Sequence, residues 1–469
     1  MSTNHLERLR EGAALTLRQQ AALTLQLSLP AILAQISSIV MQYIDASMVG
    51  RLGAAESASI GLAASSTWLF GGLCSAAVTG FTVQTAQSVG AGETRLARSI
   101  MKHGYLFAMV LSLFFAAIGA AISGALPVWL GGGDDIRAGA SAYFLVYALS
   151  LPFLQLNHIS SGMLQASGNM RLPSMLHVLM CVLDVVFNLL LIFPTRQIGG
   201  ITVPGAGLGV MGAAIGTGLA EAVISLIMTY MLLRRSPMLH LRKGEKFSYS
   251  PAILRRGLRI SIPVAIEQAV LSSAQVVSTR IVSPLGTIAI AANSFAVTAE
   301  SLCYMPGYGI ANAASTLIGQ STGAGRKDLT RQLGWLTTLL GMAVMSISGI
   351  LMYLAAPWMI GILSTDAAVV ALGVAMLRIE AFAEPMYAAS IVAAGVFRGA
   401  GDTLVPSCLN FSSMWLVRLP LAAFLAPRMG LKGVWIAMCI ELCIRGILFL
   451  WRLAGKRWQN KGLVVKNQS

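Results

Sequence analysis

Several acids stand in stretches that are otherwise apolar, among them Asp45 near the end of PAILAQISSIVMQYIDASMVGRLG (Pro30 to Gly53), Asp184, Glu267 and Glu384. If these stretches cross a membrane, each acid has lost its water, at a cost of roughly 2.5 to 3.5 kcal/mol for an Asp at a helix centre even on the mildest insertion scale. Asp184 and Asn188 are one helical turn apart and share a face, as do Glu380 and Glu384. Two chemistries suit such groups. Two carboxylates close together in a low dielectric do not easily both ionise, so a pair can take up and release a proton. Alternatively, carboxylate, amide and hydroxyl oxygens can together replace the hydration shell of a cation such as Na+. A purely structural role, with each acid hydrogen-bonded to a neighbouring helix, is the competing expectation.

The elements that would position these acids are membrane helices. Hydrophobic residues make up 56% of the 469-residue chain and charged residues 11%, and the mean hydropathy is +0.73, a composition foreign to soluble globules. Apolar runs of about 20 residues, enough to cross a hydrocarbon core roughly 30 Å thick, begin near Leu23, Ala58, Ser99, Arg137, Leu172, Gly209, Gly257, Ile288, Gln332, Val369, Val405 and Gly433. The fold class expected is an all-α membrane protein of twelve transmembrane helices. Met1 to Gln20 carries Glu7, Arg8, Arg10, Glu11 and Arg18 where a cleavable signal would need an apolar core. Residues 1–22 are therefore expected to form a short amphipathic segment on the membrane surface.

Lysine and arginine set the expected orientation. The termini and even-numbered connections hold Arg8, Arg10, Arg18, Arg95, Arg98, Lys102, the dense set from Arg234 to Arg259, Arg326, Lys327, Arg331 and the tail from Arg452, whereas the odd-numbered connections hold only Arg51, Arg137, Arg196, Arg428 and Lys432. By the positive-inside rule both termini face the cytoplasm, in a multi-pass protein of the cytoplasmic (inner) membrane. The formal charge of +15 then reflects topology and contact with anionic membrane lipid rather than nucleic acid. Cys74, Cys181, Cys303, Cys408, Cys439 and Cys443 lie in apolar runs without a CxxC pair, which points to small core residues and not to a metal site or disulfide framework. No Walker A sequence or HExxH is found. An enzyme is not expected, nor a cofactor, and the driving force must come from an ion gradient.

The chain also repeats itself. Adding 233 takes Pro30 to Pro263, Leu52-Gly53 to Leu285-Gly286, Gln87 to Gln320, Gly90-Ala91-Gly92 to Gly323-Ala324-Gly325, Pro152 to Pro385, Gly168 to Gly401 and Pro173 to Pro406. This reads as duplication of a six-span unit, and an even number of spans makes the copies parallel, related by an axis along the membrane normal. The organisation expected is a six-helix bundle over 23–233, a cytoplasmic linker over 234–256, a second bundle over 257–455 and a tail over 456–469. A central cavity between the bundles would open to one side at a time.

The first span with LP followed by IDASMVGRLG, the VGAG turn after the second, the NLLLIF stretch (Asn188 to Phe193) and VFRGAGDTLVP (Val396 to Pro406) resemble the multidrug and toxic compound extrusion (MATE) family, over about residues 20 to 455. The resemblance implies an antiporter, acting as a monomer, that couples H+ or Na+ to export of amphipathic, often cationic small molecules. It also implies an ion site built from an acid late in span one, a carboxylate and amide pair on span five and a Thr on span six. Those positions are Asp45, Asp184 with Asn188, and Thr217, with Asn157 on span four as a further candidate. The family's span-five pair commonly reads Asn-x-x-x-Asp or Asn-x-x-x-Asn, whereas this chain reads Asp-x-x-x-Asn. The IPVAIEQ stretch (Ile262 to Gln268) resembles a pattern with a buried Glu on span seven.

The repeat acts as an internal control, because residues needed merely to build a bundle should recur. The acids do not: Asp45 falls opposite Ser278, Asp184 opposite Val417, Glu267 opposite Ala34 and Glu384 opposite Leu151. The two bundles should therefore do different jobs, the first handling the ion and Glu267, Gln268 and Glu384 offering a substrate or second coupling site. Glu300, Glu380 and Glu384 can alternatively pair with Arg280, Arg378 and Arg418 in the same half. Glu441 and Arg445, four apart on span twelve, are expected to form a structural ion pair. The alternative function is a flippase for a lipid-linked precursor, for which several buried basic residues in both bundles would be expected.

Overall fold

The computed structural model describes residues 3–10, 15–198, 201–242, 244–245 and 247–463. Residues 1–2 and 11–14 of the expected N-terminal segment and 464–469 of the expected tail lie outside the described residues. Among the described residues, eleven helices are long and apolar enough to cross a membrane. They include Leu17–Gly50 (span one), Ala54–Gly90 (two), Thr94–Ile122 (three), Asp134–Ala166 (four), Arg171–Leu191 (five), Gly209–Tyr230 (six), Pro251–Val282 (seven), Thr287–Gly323 (eight), Lys327–Leu363 (nine) and Leu431–Ala454 (twelve). Span eleven is Leu404–Ser412 continued through a π-helical turn, Ser413–Arg418, into Leu419–Met429.

The apolar run expected as span ten is not one helix but two, Ala367–Glu380 and Glu384–Ala400. Pro385, in the first turn of the second piece, has no N–H to offer the Ala381 carbonyl, so the ladder breaks there. Gly349 of span nine leaves room for that freed carbonyl, since a Cβ at Gly349 would stand 3.2 Å from Ala381 O. Pro152, at the matching place in the repeat, sits inside an unbroken helix. Between spans five and six the chain makes an antiparallel pair, Pro194–Ile198 with Ile201–Ala206, which the reading of helices did not anticipate.

The chain divides into two compact units: Met1–Ile36 with Ala86–Glu93 and Ile262–Ser469, and Ser37–Thr85 with Thr94–Ser261. In the first, a core of small residues and a few large ones (Ala292, Ala296, Ala299, Met352, Ala356, Trp435) joins spans eight, nine, ten and twelve. Small residues let helix backbones approach where lipid gives no hydrophobic drive to associate. The N-terminal helix Thr3–Arg10 buries Leu6 and Leu9, and Arg10 Nε donates to Gln320 Oε1 of span eight at 3.2 Å. It is thus docked on the protein, where a surface-lying amphipathic segment was expected. After span twelve, Trp458 is fully buried, donates to Leu453 O at 3.1 Å and packs edge-on against Phe397.

In the second unit the linker is tied to the start of span three. Arg98 forks onto Glu245 through Nε (2.9 Å) and Nη2 (2.5 Å) and reaches Met238 O with Nη1, while Lys102 Nζ donates to Glu245 O at 3.0 Å. The Arg98 guanidinium holds the Glu245 carboxyl below the ordinary glutamate range. The tie is therefore complete above that range and weakens as the pH falls through the lowered value. Glu245→Gln is expected to speed amide hydrogen exchange over 236–250 about tenfold at pH 7. In the natural protein the same release, read by pepsin cleavage in the linker, sets in only in acid. Unchanged protection in the variant would show that the linker is held by other contacts.

Candidate functional site

Span six can lie close against span five because its first turns are built from glycine. A Cβ at Gly212 would stand 2.5 Å from Leu191 O, and one at Gly216 would stand 2.1 Å from Asn188 Oδ1. At Gly212 the obstacle is backbone, so no other residue fits without parting the helices, whereas at Gly216 it is the Asn188 amide, which a side chain would push out of place. Thr217, next in the chain, is brought beside the Asp184 carboxyl by that approach.

On span five, Asp184 and Asn188 are both fully buried. Asn188 Nδ2 donates to Asp184 Oδ2 at 3.1 Å and to Asp45 Oδ1 of span one at 2.8 Å. One amide group thus bridges two carboxyls. The carboxyls of Asp45 and Asp184 also contact one another, an arrangement that two full negative charges would oppose and a shared proton would favour. Asp184 Oδ1 and Asn188 Oδ1 are buried acceptors without a hydrogen-bond partner. No lysine or arginine among the described residues forms an ion pair with either aspartate. The four residues Asp45, Asp184, Asn188 and Thr217, singled out in the sequence from three different spans, meet at one place.

Asn157, the remaining candidate for the ion site, belongs to a neighbouring group. Its Nδ2 donates to Glu221 Oε1 of span six at 2.6 Å and lies 3.8 Å from Met180 Sδ of span five. Sequence reasoning missed Glu221. A signal was present, because Glu221 follows Thr217 by one turn and falls opposite Ala454 in the repeat, so it breaks the symmetry just as Asp45 and Asp184 do. A cavity of about 50 Å³ between spans four and six, lined by Tyr143, Tyr147, Ser150, Thr217 and Glu221 among others, touches one member of each group, Thr217 and Glu221. That is room for a few water molecules.

The acids of the second half are dispersed differently. Glu267, half-buried like its neighbour Gln268, accepts from Ser407 Oγ at 2.6 Å and from Asn410 Nδ2, both on span eleven. Glu380 and Glu384 flank the break in span ten, fully buried, and none of their four oxygens has a hydrogen-bond partner. No close ion pair joins these acids to an arginine among the described residues: Arg378 lies over the Tyr353 ring and donates to its carbonyl, and Arg418 reaches Met438 Sδ, its charge acting on Glu300 and Glu380 only from farther off. Glu441 and Arg445 do form an ion pair, at 3.2 Å.

Comparison with known proteins places this architecture. The MatE family model matches the chain twice, over residues 30–190 and 263–424, and the second match begins 263 − 30 = 233 residues after the first. The chain is 27% identical to a probable multidrug resistance protein NorM of Thermotoga maritima, over 95% of this chain and 94% of that one. It is 26% identical to the protein of the same name from Xanthomonas axonopodis pv. citri, over 90% and 91%. Among solved structures it superposes on a MOP superfamily transporter from Pyrococcus furiosus with a TM-score of 0.88 at 19% identity, covering 97% of this chain and 99% of that one. A multidrug resistance MATE family transporter in its outward-facing conformation gives a TM-score of 0.88 at 20% identity, with the same coverage. A family model matched once in each half, relatives matched nearly end to end and a shared helical architecture carry one conclusion: this multi-pass membrane protein belongs to the MatE family of MATE transporters.

Proposed function

We propose that the protein is an antiporter of the cytoplasmic membrane that exports amphipathic, often cationic drugs by alternating access, driven by protons entering at Asp45 and Asp184. Drug export is supported by the relatives named as multidrug resistance proteins. The single observation that carries the choice of ion is the Asn188 amide, which spends its N–H groups on both carboxyls. With its nitrogen turned inward, the site leaves two buried oxygens free of donors, Asp184 Oδ1 and Asn188 Oδ1. A hard cation takes about six oxygen ligands. A proton needs only one carboxylate oxygen.

In this reading the site alternates between a state in which the aspartates hold a proton between them and one in which they are charged and draw on Asn188 and Thr217. Each state would favour one orientation of the transporter, and only the difference in proton affinity between the two orientations can do work. The experiment is uptake of the fluorescent cation ethidium into proteoliposomes under an imposed proton gradient or an imposed sodium gradient. Proton-driven accumulation at zero sodium is expected. Accumulation that requires sodium and ignores pH would overturn the assignment of the ion, and no accumulation of any lipophilic cation under either gradient would overturn the antiporter.

A further inference from the structure

Glu221 has no part in the aspartate site, yet it is buried without a cation. It is 9% exposed, its partner Asn157 4% exposed, and Asn157 Oδ1 has no hydrogen-bond partner. An acid so placed is costly to keep, and intramembrane acids as a rule line ion paths or pair with one another. The charged and titratable groups that face it are few. Span four presents Tyr143 and Tyr147 across the cavity, span five presents Asp184 through its charge, and on its own helix the neighbour one turn back is the Thr217 hydroxyl. No ion pair to Glu221 is made by any lysine, arginine or histidine among the described residues.

The placement is regular. Met180 and Asp184 on span five, and Glu221 and Thr217 on span six, are each four residues apart, about 6 Å along a helix axis. The Asn157–Glu221–Met180 group therefore forms a second rung one turn below Asp184–Thr217, and the water-sized cavity beside span six touches both Thr217 and Glu221. The same stripe of span six continues at one-turn intervals with Ser225 and Thr229, both bearing hydroxyls. Thr229 Oγ1 lies 2.9 Å from Ser160 Oγ, and Ser160 Oγ lies 2.5 Å from the Tyr105 hydroxyl. With the termini on the cytoplasmic side, as the basic residues imply, this stripe runs from the aspartates toward the cytoplasm.

We propose that Glu221, held by Asn157, is a second proton-binding station of the first bundle, which takes the proton released by the Asp45–Asp184 pair and passes it toward the cytoplasmic face. The proposal rests on the proton-coupled reading of that pair. The step conserves charge: a carboxyl O–H of the pair breaks, the Thr217 hydroxyl beside Asp184 and water in the cavity that Thr217 lines relay the proton, and an O–H forms on the Glu221 carboxylate, so that one negative charge moves from Glu221 to the pair. Ser225, Thr229, Ser160 and Tyr105 can each donate and accept, as onward transfer demands.

The test uses the full-length protein in liposomes containing a pH-sensitive dye, with ethidium as substrate. Glu221→Gln keeps the size of the side chain and a carbonyl for Asn157, and is expected to lower ethidium-driven proton flux on the order of a hundredfold. KM for ethidium should stay unchanged, and Glu221→Asp should restore most of the flux. Wild-type flux with a wild-type pH profile in Glu221→Gln would overturn the station, as would a loss carried by KM with the pH profile intact. If Glu221→Gln does not insert, Asn157→Ser carries the test: a shift of the flux profile by about one pH unit supports the station, and an unmoved profile overturns it. Failure of the parent reading looks different, because the natural protein would then show no ethidium-driven proton flux at all, whereas a natural protein with flux and an inactive Asp45→Asn beside a normal Glu221→Gln removes Glu221 alone.

Discussion

Replacing Asp45 by Asn is expected to leave a protein that inserts, folds and binds ethidium within about threefold of the natural one but accumulates none against a gradient. A pH difference of one unit supplies about 1.4 kcal/mol per proton. Driving a two-state transporter from 1:99 to 99:1 takes about 5.5 kcal/mol of differential affinity, more than one carboxyl supplies. The two carboxyls bridged by Asn188 should therefore work as a unit. Asp184→Asn should be as inactive as Asp45→Asn, and the double variant no worse than either, since the effects of coupled residues do not add. The accumulation ratio of ethidium at a fixed pH difference measures this. A single variant that still concentrates substrate at the wild-type rate would show that its aspartate is a buried structural acid.

The second large effect is on stability. Gly323 of span eight and Gly90 of span two bring two backbones together reciprocally: a Cβ at Gly323 would stand 1.9 Å from Gln87 O, and one at Gly90 would stand 2.0 Å from Gln320 O. The crossing is fixed from its flanks, with Gln87 Nε2 donating to Gly399 O at 3.0 Å and the Leu463 N–H donating to Gln87 Oε1 at 2.8 Å. Backbone cannot rotate aside as a side chain can, so Gly323→Ala is expected to destabilise by about 3 kcal/mol, at the upper end for overpacking. Gly61→Ala is the control, because nothing lies within 4 Å of a Cβ there. Gly→Ala in an open helix position should instead stabilise by about 0.5 to 1 kcal/mol. Thermal unfolding in detergent reads both, and variants shifting in the same direction would contradict the tight crossing.

Several devices were legible along the chain because they are local. Glu441 finds Arg445 because one helical turn makes them neighbours. Gln87 and Gln320, and Gly90 and Gly323, matched by offset, turn out to be two sides of one crossing. The arginines show the limit of such reading. Arg378 and Arg418 share a half of the chain with Glu300, Glu380 and Glu384, yet they turn to Tyr353 and Met438, because sharing a bundle says nothing about which face of a helix meets which.

By itself the sequence determined the class, the apolar spans, the doubling of the chain and the aspartates that break it. Each of these is a sum over neighbouring residues, or a comparison at a fixed offset, and transfer of a segment into hydrocarbon depends on its composition alone. Tertiary structure decided which of the polar groups meet. The Asn188 bridge requires span one beside span five and Gly216 to leave its amide in place, and the contact of Thr217 with Asp184 requires Gly212 to admit span six. Glu221 acquires its meaning from Asn157 on span four, and Glu267 from Ser407 and Asn410 on span eleven. A buried polar group is held by partners distant in the chain, and hydrogen bonds fall off within a few tenths of an ångström, so only packed helices can select them.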